Sequence, residues 1–213
     1  MEGNGEEFAW VDTETSGLDP QQHRVLEIAV VVTDHELNDV DVFESKIKLS
    51  PGDRAAATPK ALEVNGYNDA EWADAPPSSR ELWSRVQSMT TRRNFAGQNP
   101  LFDEGFLRAE LGRWGLKGYW FRRLLDTQSF GQIIGRSHNL RNANNVITHS
   151  LVPIYDALGG PKLPEHRAMG DVRRSIFVYD HFRRMYEDAR STGLSAQLTK
   201  TAFQKLASQV QST

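Results

Sequence analysis

The segment Val25–Thr33, VLEIAVVVT, constrains the fold of this chain more than any other. β-Branched side chains are stiff at χ1 and pack well on a pleated surface, so the segment reads as a strand. Its apolar centre, Ile28 to Val32, is strand-sized and far below the roughly 20 residues that cross a bilayer. A second short apolar run, Phe8 to Val11, reads as a buried strand. A third, Phe43 to Leu49, alternates Phe43, Ser45, Ile47 and Leu49 with Glu44, Lys46 and Lys48, as a half-buried strand does. Polar residues Asp34 to Asp39 link the last two, so the opening third is expected to be an antiparallel meander.

Helical signals follow. Thr58-Pro59 combines an N-cap with proline at the first helical position, and Asn65-Gly66 marks the stop. Ala75-Pro76-Pro77 is a linker, and Ser78-Ser79-Arg80-Glu81 resembles a capping box before Leu82, Val86 and Met89. Asn94 to Gly97 reads as a short strand and Asp103 to Trp114 as a helix. Arg123 to Thr127 suggests a buried strand, and Gly135 to Asn145 a polar, mobile loop. Ser150 is expected to cap a helix carrying Leu151, Ile154, Tyr155 and Leu158. Arg167 to Tyr186 has the pattern of a long amphipathic helix. Strands first, then alternating helix and strand, point to an α/β layer fold.

Composition excludes several functions. With no cysteines among 213 residues, zinc–thiolate sites and iron–sulfur clusters are ruled out. A formal net charge of −3 confines any nucleic-acid contact to a local surface. The acidic, Gly-rich start lacks the pattern of a secretory signal, so the expected location is cytoplasmic, without a membrane partner. The expected organisation is a flexible stretch over 1–7, one domain over 8–188 and a helical tail over 189–213.

Three clusters carry candidate chemistry. Asp12 and Glu14 lie two apart at a strand end and project from one face. Neighbouring carboxylates repel, and a divalent cation removes that penalty; without Cys, hard oxygen ligands favour Mg²⁺ or Mn²⁺. Alone, such a pair also reads as two solvated acids. Asp103 opens a helix, where an acid commonly interacts with the helix dipole. Nearby Phe102 and Phe106 read as core residues, and Asn99 as a turn former. His166 and Asp171 are five apart, and converge only if the histidine lies on the preceding loop.

Taken together, these clusters resemble the DEDDh (DnaQ-like) 3′–5′ exonuclease family, which includes polymerase proofreading subunits, RNase T and oligoribonuclease. The family pattern falls on Asp12-Thr13-Glu14, on Gly97-Gln98-Asn99-Pro100-Leu101-Phe102-Asp103-Glu104-Gly105-Phe106-Leu107, and on His166-Arg167-Ala168-Met169-Gly170-Asp171. Thr15-Ser16-Gly17-Leu18-Asp19, Arg24 to Ile28, Leu125-Asp126-Thr127 and Ser150-Leu151 also match. Gln98 stands where the family commonly has His, Ser16 where it has Thr, and Asn65-Gly66 where it often has His-Gly.

The resemblance implies an RNase H-like fold with a central five-stranded mixed sheet flanked by helices. It implies two Mg²⁺ (or Mn²⁺) ions held by Asp12, Glu14, Asp103 and Asp171, with His166 as general base and Asp12 the least replaceable ligand. Backbone groups near Thr13 and Thr15 and the Leu18 side chain would meet the terminal nucleotide, with Asn99, Phe102 and Phe106 as further contacts. The implied substrate is the 3′ end of single-stranded nucleic acid, DNA slightly favoured over RNA, cleaved to nucleoside 5′-monophosphates. An oligoribonuclease or RNase T-like exoribonuclease and a non-catalytic nucleic-acid-binding module are the alternatives. A polymerase or a second copy of the chain is a possible partner. Of the adjacent arginine pairs (92–93, 122–123, 173–174 and 183–184), most are expected to be solvated and one or two to line a phosphate track.

Overall fold

The computed structural model describes residues 7–121, 124–163 and 167–192. Strands β1 (Phe8–Thr15), β2 (Val25–Thr33) and β3 (Asp39–Lys46) form the expected antiparallel meander. There follow helices α1 (Pro51–Ala56), α2 (Pro59–Val64) and α3 (Arg80–Thr90), strand β4 (Asn94–Gly97) and helix α4 (Pro100–Arg113). Strand β5 (Leu125–Asp126), α5 (Thr127–Ser137), α6 (Leu151–Ala157) and α7 (Ala168–Ser191) complete the order. The sheet has five strands in the order β3-β2-β1-β4-β5, with β4 parallel to β1 and β5 parallel to β4. By packing, the chain divides into two units, Met1–Val178 and Tyr179–Thr213.

Every residue of β2 is buried, as its β-branched composition requires. Trp83, Val86 and Met89 of α3 and Phe106, Leu107 and Leu111 of α4 form one core with Val11, Val30, Val32 and Phe95 of the sheet. Two caps are made: Thr58 accepts from the Ala61 amide, and Ser79, one residue after the Ser78 that would open a capping box with Glu81, accepts from the Leu82 amide. Among the described residues no helix is long and apolar enough to cross a membrane.

Four expectations are corrected. Strand β3 starts at Asp39, not Phe43, and ends at Lys46. Its early acids look like a loop in the sequence, but Asp39 is ion-paired with Arg173 and Asp41 with Arg85, which lets the backbone pair with β2. The buried strand expected over Arg123 to Thr127 shrinks to two residues, and Arg123 lies outside the described residues. Asp126 turns instead to cap α5, accepting from the Gln128 amide at 2.8 Å. Helix α5 itself was masked in the sequence by Gly131 and Gly135, poor helix formers. Both are buried, and a Cβ on Gly135 would lie 2.1 Å from the Thr148 carbonyl oxygen, so glycine is what admits that segment. Ser150 occupies the N-cap of α6 without a side-chain cap bond.

Candidate active site

Strand β1 ends where the chemistry begins. Asp12 is paired in register with Ala29, and Glu14 with Glu27 of β2. Asp171 lies in the first turn of α7. Asp12, Glu14 and Asp171 each offer a carboxylate oxygen, and these oxygens lie within 4.8 Å of one another. Asp103, in the first turn of α4, is 3% exposed. Its Oδ1 accepts from the Thr13 backbone N–H at 2.9 Å and from Thr13 Oγ1 at 2.7 Å. The helix it opens is left without a side-chain cap, since Asn99 sits in the left-handed region at φ 54° and makes none. Thus α4 directs its first-turn acid at the strand residue lying between Asp12 and Glu14.

Burial is the main reason Asp12, Glu14 and Asp103 hold their protons more tightly than usual. It pushes Asp12 well above the ordinary carboxylate range, and Asp103, Asp171, Glu14 and Glu27 add repulsion. Glu14 is pushed up to about 7 by burial, then by Asp171 and Glu27, with Arg167 opposing. Burial raises Asp103 to about 7 against the pull of the Thr13 bonds, with a further push from Glu14. Such a set of hard oxygen donors with mutual repulsion fits a divalent cation, which would remove the cost of ionising them together. His166 lies outside the described residues.

Glu27 is a member that sequence reasoning did not single out. It is 1% exposed, and its Oε1 accepts from the Ala168 amide at 2.9 Å while Oε2 accepts from Arg167 Nη1 at 3.3 Å. Arg167 is also ion-paired with Glu71. Glu27 therefore fixes where α7 starts, and with it Asp171. Its signals were a single acid inside a β-branched run and the match of Arg24 to Ile28 to the family pattern.

The proposed nucleotide contacts divide. A cleft of about 630 Å³ is lined by Thr13, Glu14, Leu18, Lys60, Val64 and Phe102, among others. Leu18 is 82% exposed at the tip of the turn after β1. That turn is held by Thr15 Oγ1 donating to the Gly17 carbonyl at 2.8 Å and by Asn65 Nδ2 donating to the Thr15 carbonyl at 2.8 Å. The Thr13 and Thr15 side chains are buried and bonded within the protein. Phe106 is fully buried in the core, its ring centroid 5.0 Å from that of Phe102, so it supports Phe102 and presents no face to a nucleotide. Asn99 is exposed, its backbone N–H donating to Asp126 Oδ1 at 3.0 Å. Gln98 has its amide nitrogen on the His149 carbonyl at 3.0 Å.

Of the six adjacent arginines among the described residues, Arg92 is exposed and five are ion-paired, Arg184 while still largely solvated and Arg174 while buried. Arg93 pairs with Glu7, Arg173 with Asp39, Arg174 with Asp171, and Arg183 and Arg184 with Asp180. Arg122 and Arg123 lie outside the described residues.

Residues 9–179 match the family described as Exonuclease, RNase T. The oligoribonuclease of Escherichia coli (strain K12) is 26% identical over 196 residues, covering 86% of this chain and 97% of the relative. A PolC-type DNA polymerase III of Thermotoga petrophila is 27% identical over 190 residues, covering 88% of this chain but 13% of that protein. Among solved structures, E. coli exonuclease I in complex with a dT13 oligonucleotide superposes with a TM-score of 0.68 at 20% identity. That superposition covers 85% of this chain and 42% of exonuclease I, and it establishes the shared RNase H-like fold. The chain belongs to this exonuclease family, in its DnaQ-like DEDDh branch, and is a 3′–5′ exonuclease.

Proposed function

We propose that this exonuclease releases nucleoside 5′-monophosphates from the 3′ end of single-stranded nucleic acid, with two Mg²⁺ or Mn²⁺ ions held by Asp12, Glu14, Asp103 and Asp171. The observation that carries the reading is the convergence of Asp12, Glu14 and Asp171 within 4.8 Å, beside a cleft edged by an exposed leucine. When bound, the ions would lower the pKa of an attacking water and offset charge on the departing 3′ oxygen. Asp12 is repelled by the other three proposed ligands and by Glu27, a repulsion that bound cations would offset. Thr13 holds Asp103 in one rotamer, so that acid is set before substrate arrives. Leu18 and Phe102 offer apolar surface to the terminal base, a contact tolerant of sequence.

His166 is the proposed general base, since an imidazole titrates near neutrality and can take a proton from water. It stands two residues before α7 begins. His166→Ala is expected to lose turnover while still binding Mn²⁺. A near-wild-type rate in that variant would remove the histidine from the mechanism.

Short RNA is a second reading, favoured by the near-complete length match to oligoribonuclease. A panel of single-stranded DNA, duplex DNA with 3′ overhangs, long RNA and dinucleotides separates the two. The proposed division remains a catalytic domain over 8–188 with short flanking segments. The polymerase relative suggests association with a polymerase, testable by co-purification.

A further inference from the structure

Arg174 is 2% exposed and lies one turn beyond Asp171 on α7. Its Nη1 donates to Asp171 Oδ1 at 2.7 Å, and its Nη2 donates to the Leu163 carbonyl at 2.7 Å. The guanidinium carbon stands 5.7 Å from the centroid of the Tyr155 ring. That ring is itself anchored, because Tyr155 Oη donates to the Pro161 carbonyl at 2.6 Å. Arg174 Nε is buried and has no hydrogen-bond partner among the described residues. A buried guanidinium with an unsatisfied donor is costly, and an apolar side chain of similar length would fill the space at lower cost. The arrangement thus trades stability for a constraint on Asp171.

We propose that Arg174 is a positioning residue for the metal site, joining the Asp171 carboxylate to the 161–163 segment that leads to His166. The proposal rests on reading Asp171 as a metal ligand. One planar fork grips both groups, so the Asp171 rotamer and the path of that segment are fixed together.

Three variants test this: Arg174→Met, Arg174→Lys and Asp171→Asn. For each, Mn²⁺ affinity is measured by calorimetry without substrate, kcat and KM on a single-stranded oligonucleotide, and folding by thermal melt. Folded Arg174→Met is expected to bind Mn²⁺ about 10–100-fold more weakly, the usual cost of losing a group that orients a metal ligand. Its kcat should fall in parallel while KM moves less than about threefold, since no substrate contact is lost. Arg174→Lys keeps the charge but not the fork, and is expected to fall between the two. Unchanged or tighter Mn²⁺ binding in folded Arg174→Met overturns the proposal, because removing a nearby cation alone gives that result. If Arg174→Met does not fold, wild-type Mn²⁺ affinity and kcat in Arg174→Lys overturn it. Asp171→Asn separates the two readings. If it leaves Mn²⁺ binding intact, the metal assignment falls and this inference with it. If it weakens binding while Arg174→Met does not, this inference alone falls.

Discussion

Asp12 shares its surroundings with Asp103, Asp171, Glu14 and Glu27, and burial compounds the repulsion among them. A residue placed this way weakens the metal-free protein, so function and stability oppose each other at this position. Asp12→Asn is expected to abolish nuclease activity and, in chelator at pH 8, to raise the melting temperature. A melting temperature equal to or below wild type would show that the acids are not in conflict. Thr13 offers a milder probe. Thr13→Val keeps the backbone bond to Asp103 and deletes the hydroxyl one. A hydrogen bond to a charged acceptor contributes about 1.5–3 kcal/mol, so kcat should drop on the order of tenfold. A steady-state assay showing no change would mean that the hydroxyl does not set Asp103. At this scale the spacing of Asp12 and Glu14 revealed their shared face. Nothing in the spacing of Phe102 and Phe106 told which of the two rings reaches the surface. That depends on the rotation of α4 about its axis, which the whole core decides.

The elements converge at close backbone approaches. Gly97 ends β4 beside β1, and a Cβ there would lie 2.6 Å from the Val11 carbonyl oxygen. Backbone cannot yield as a side-chain tip can, so Gly97→Ala is expected to lower stability by about 1–3 kcal/mol in a denaturant titration. A neutral result would mean that β4 can shift without cost. The turn after β1 makes the opposite prediction. Leu18 is 82% exposed, so Leu18→Ala should leave the melting temperature unchanged and raise KM several-fold. An unchanged KM would remove Leu18 from the cleft's function. Elements were legible where local chemistry and the final fold agree. The β-branched run made β2, and Ser or Thr before a helical pattern marked α2 and α3. They were illegible where distant partners decide. The acids of β3 needed Arg85 and Arg173, and Gly135 and Gly131 of α5 needed the Thr148 and His149 carbonyls against them.

For the molecule as a whole, the acidic cluster couples stability to pH and to metal. Glu14 is raised from 4.5 to about 7, and Asp103 from 3.8 to about 7. Between the ordinary and raised values the folded chain binds more protons than the unfolded chain. Stability of the metal-free protein therefore falls as pH rises through that window. Asp39, bonded to Arg173, and Glu71, bonded to Lys46 and Arg167, are held below their usual range and lose charge only in stronger acid. Thermal melts in chelator should show the melting temperature declining from pH 5 to 7.5, at roughly 2–4 °C per kcal/mol for a chain of this size. Added Mg²⁺ should raise it more at pH 8 than at pH 6, because protons and cation compete for the same oxygens. A melting temperature that rises across that window would contradict the cluster's electrostatics.

A 5′-labelled single-stranded oligonucleotide given to the wild-type chain and to Asp12→Ala, each with Mg²⁺ and with chelator, tests the carboxylate-held metal centre most directly. Wild type with Mg²⁺ should yield a ladder shortening one nucleotide at a time from the 3′ end, and the other three reactions should leave the substrate whole. Equal digestion by Asp12→Ala, or digestion that persists in chelator, would contradict a carboxylate-held metal centre as the seat of catalysis.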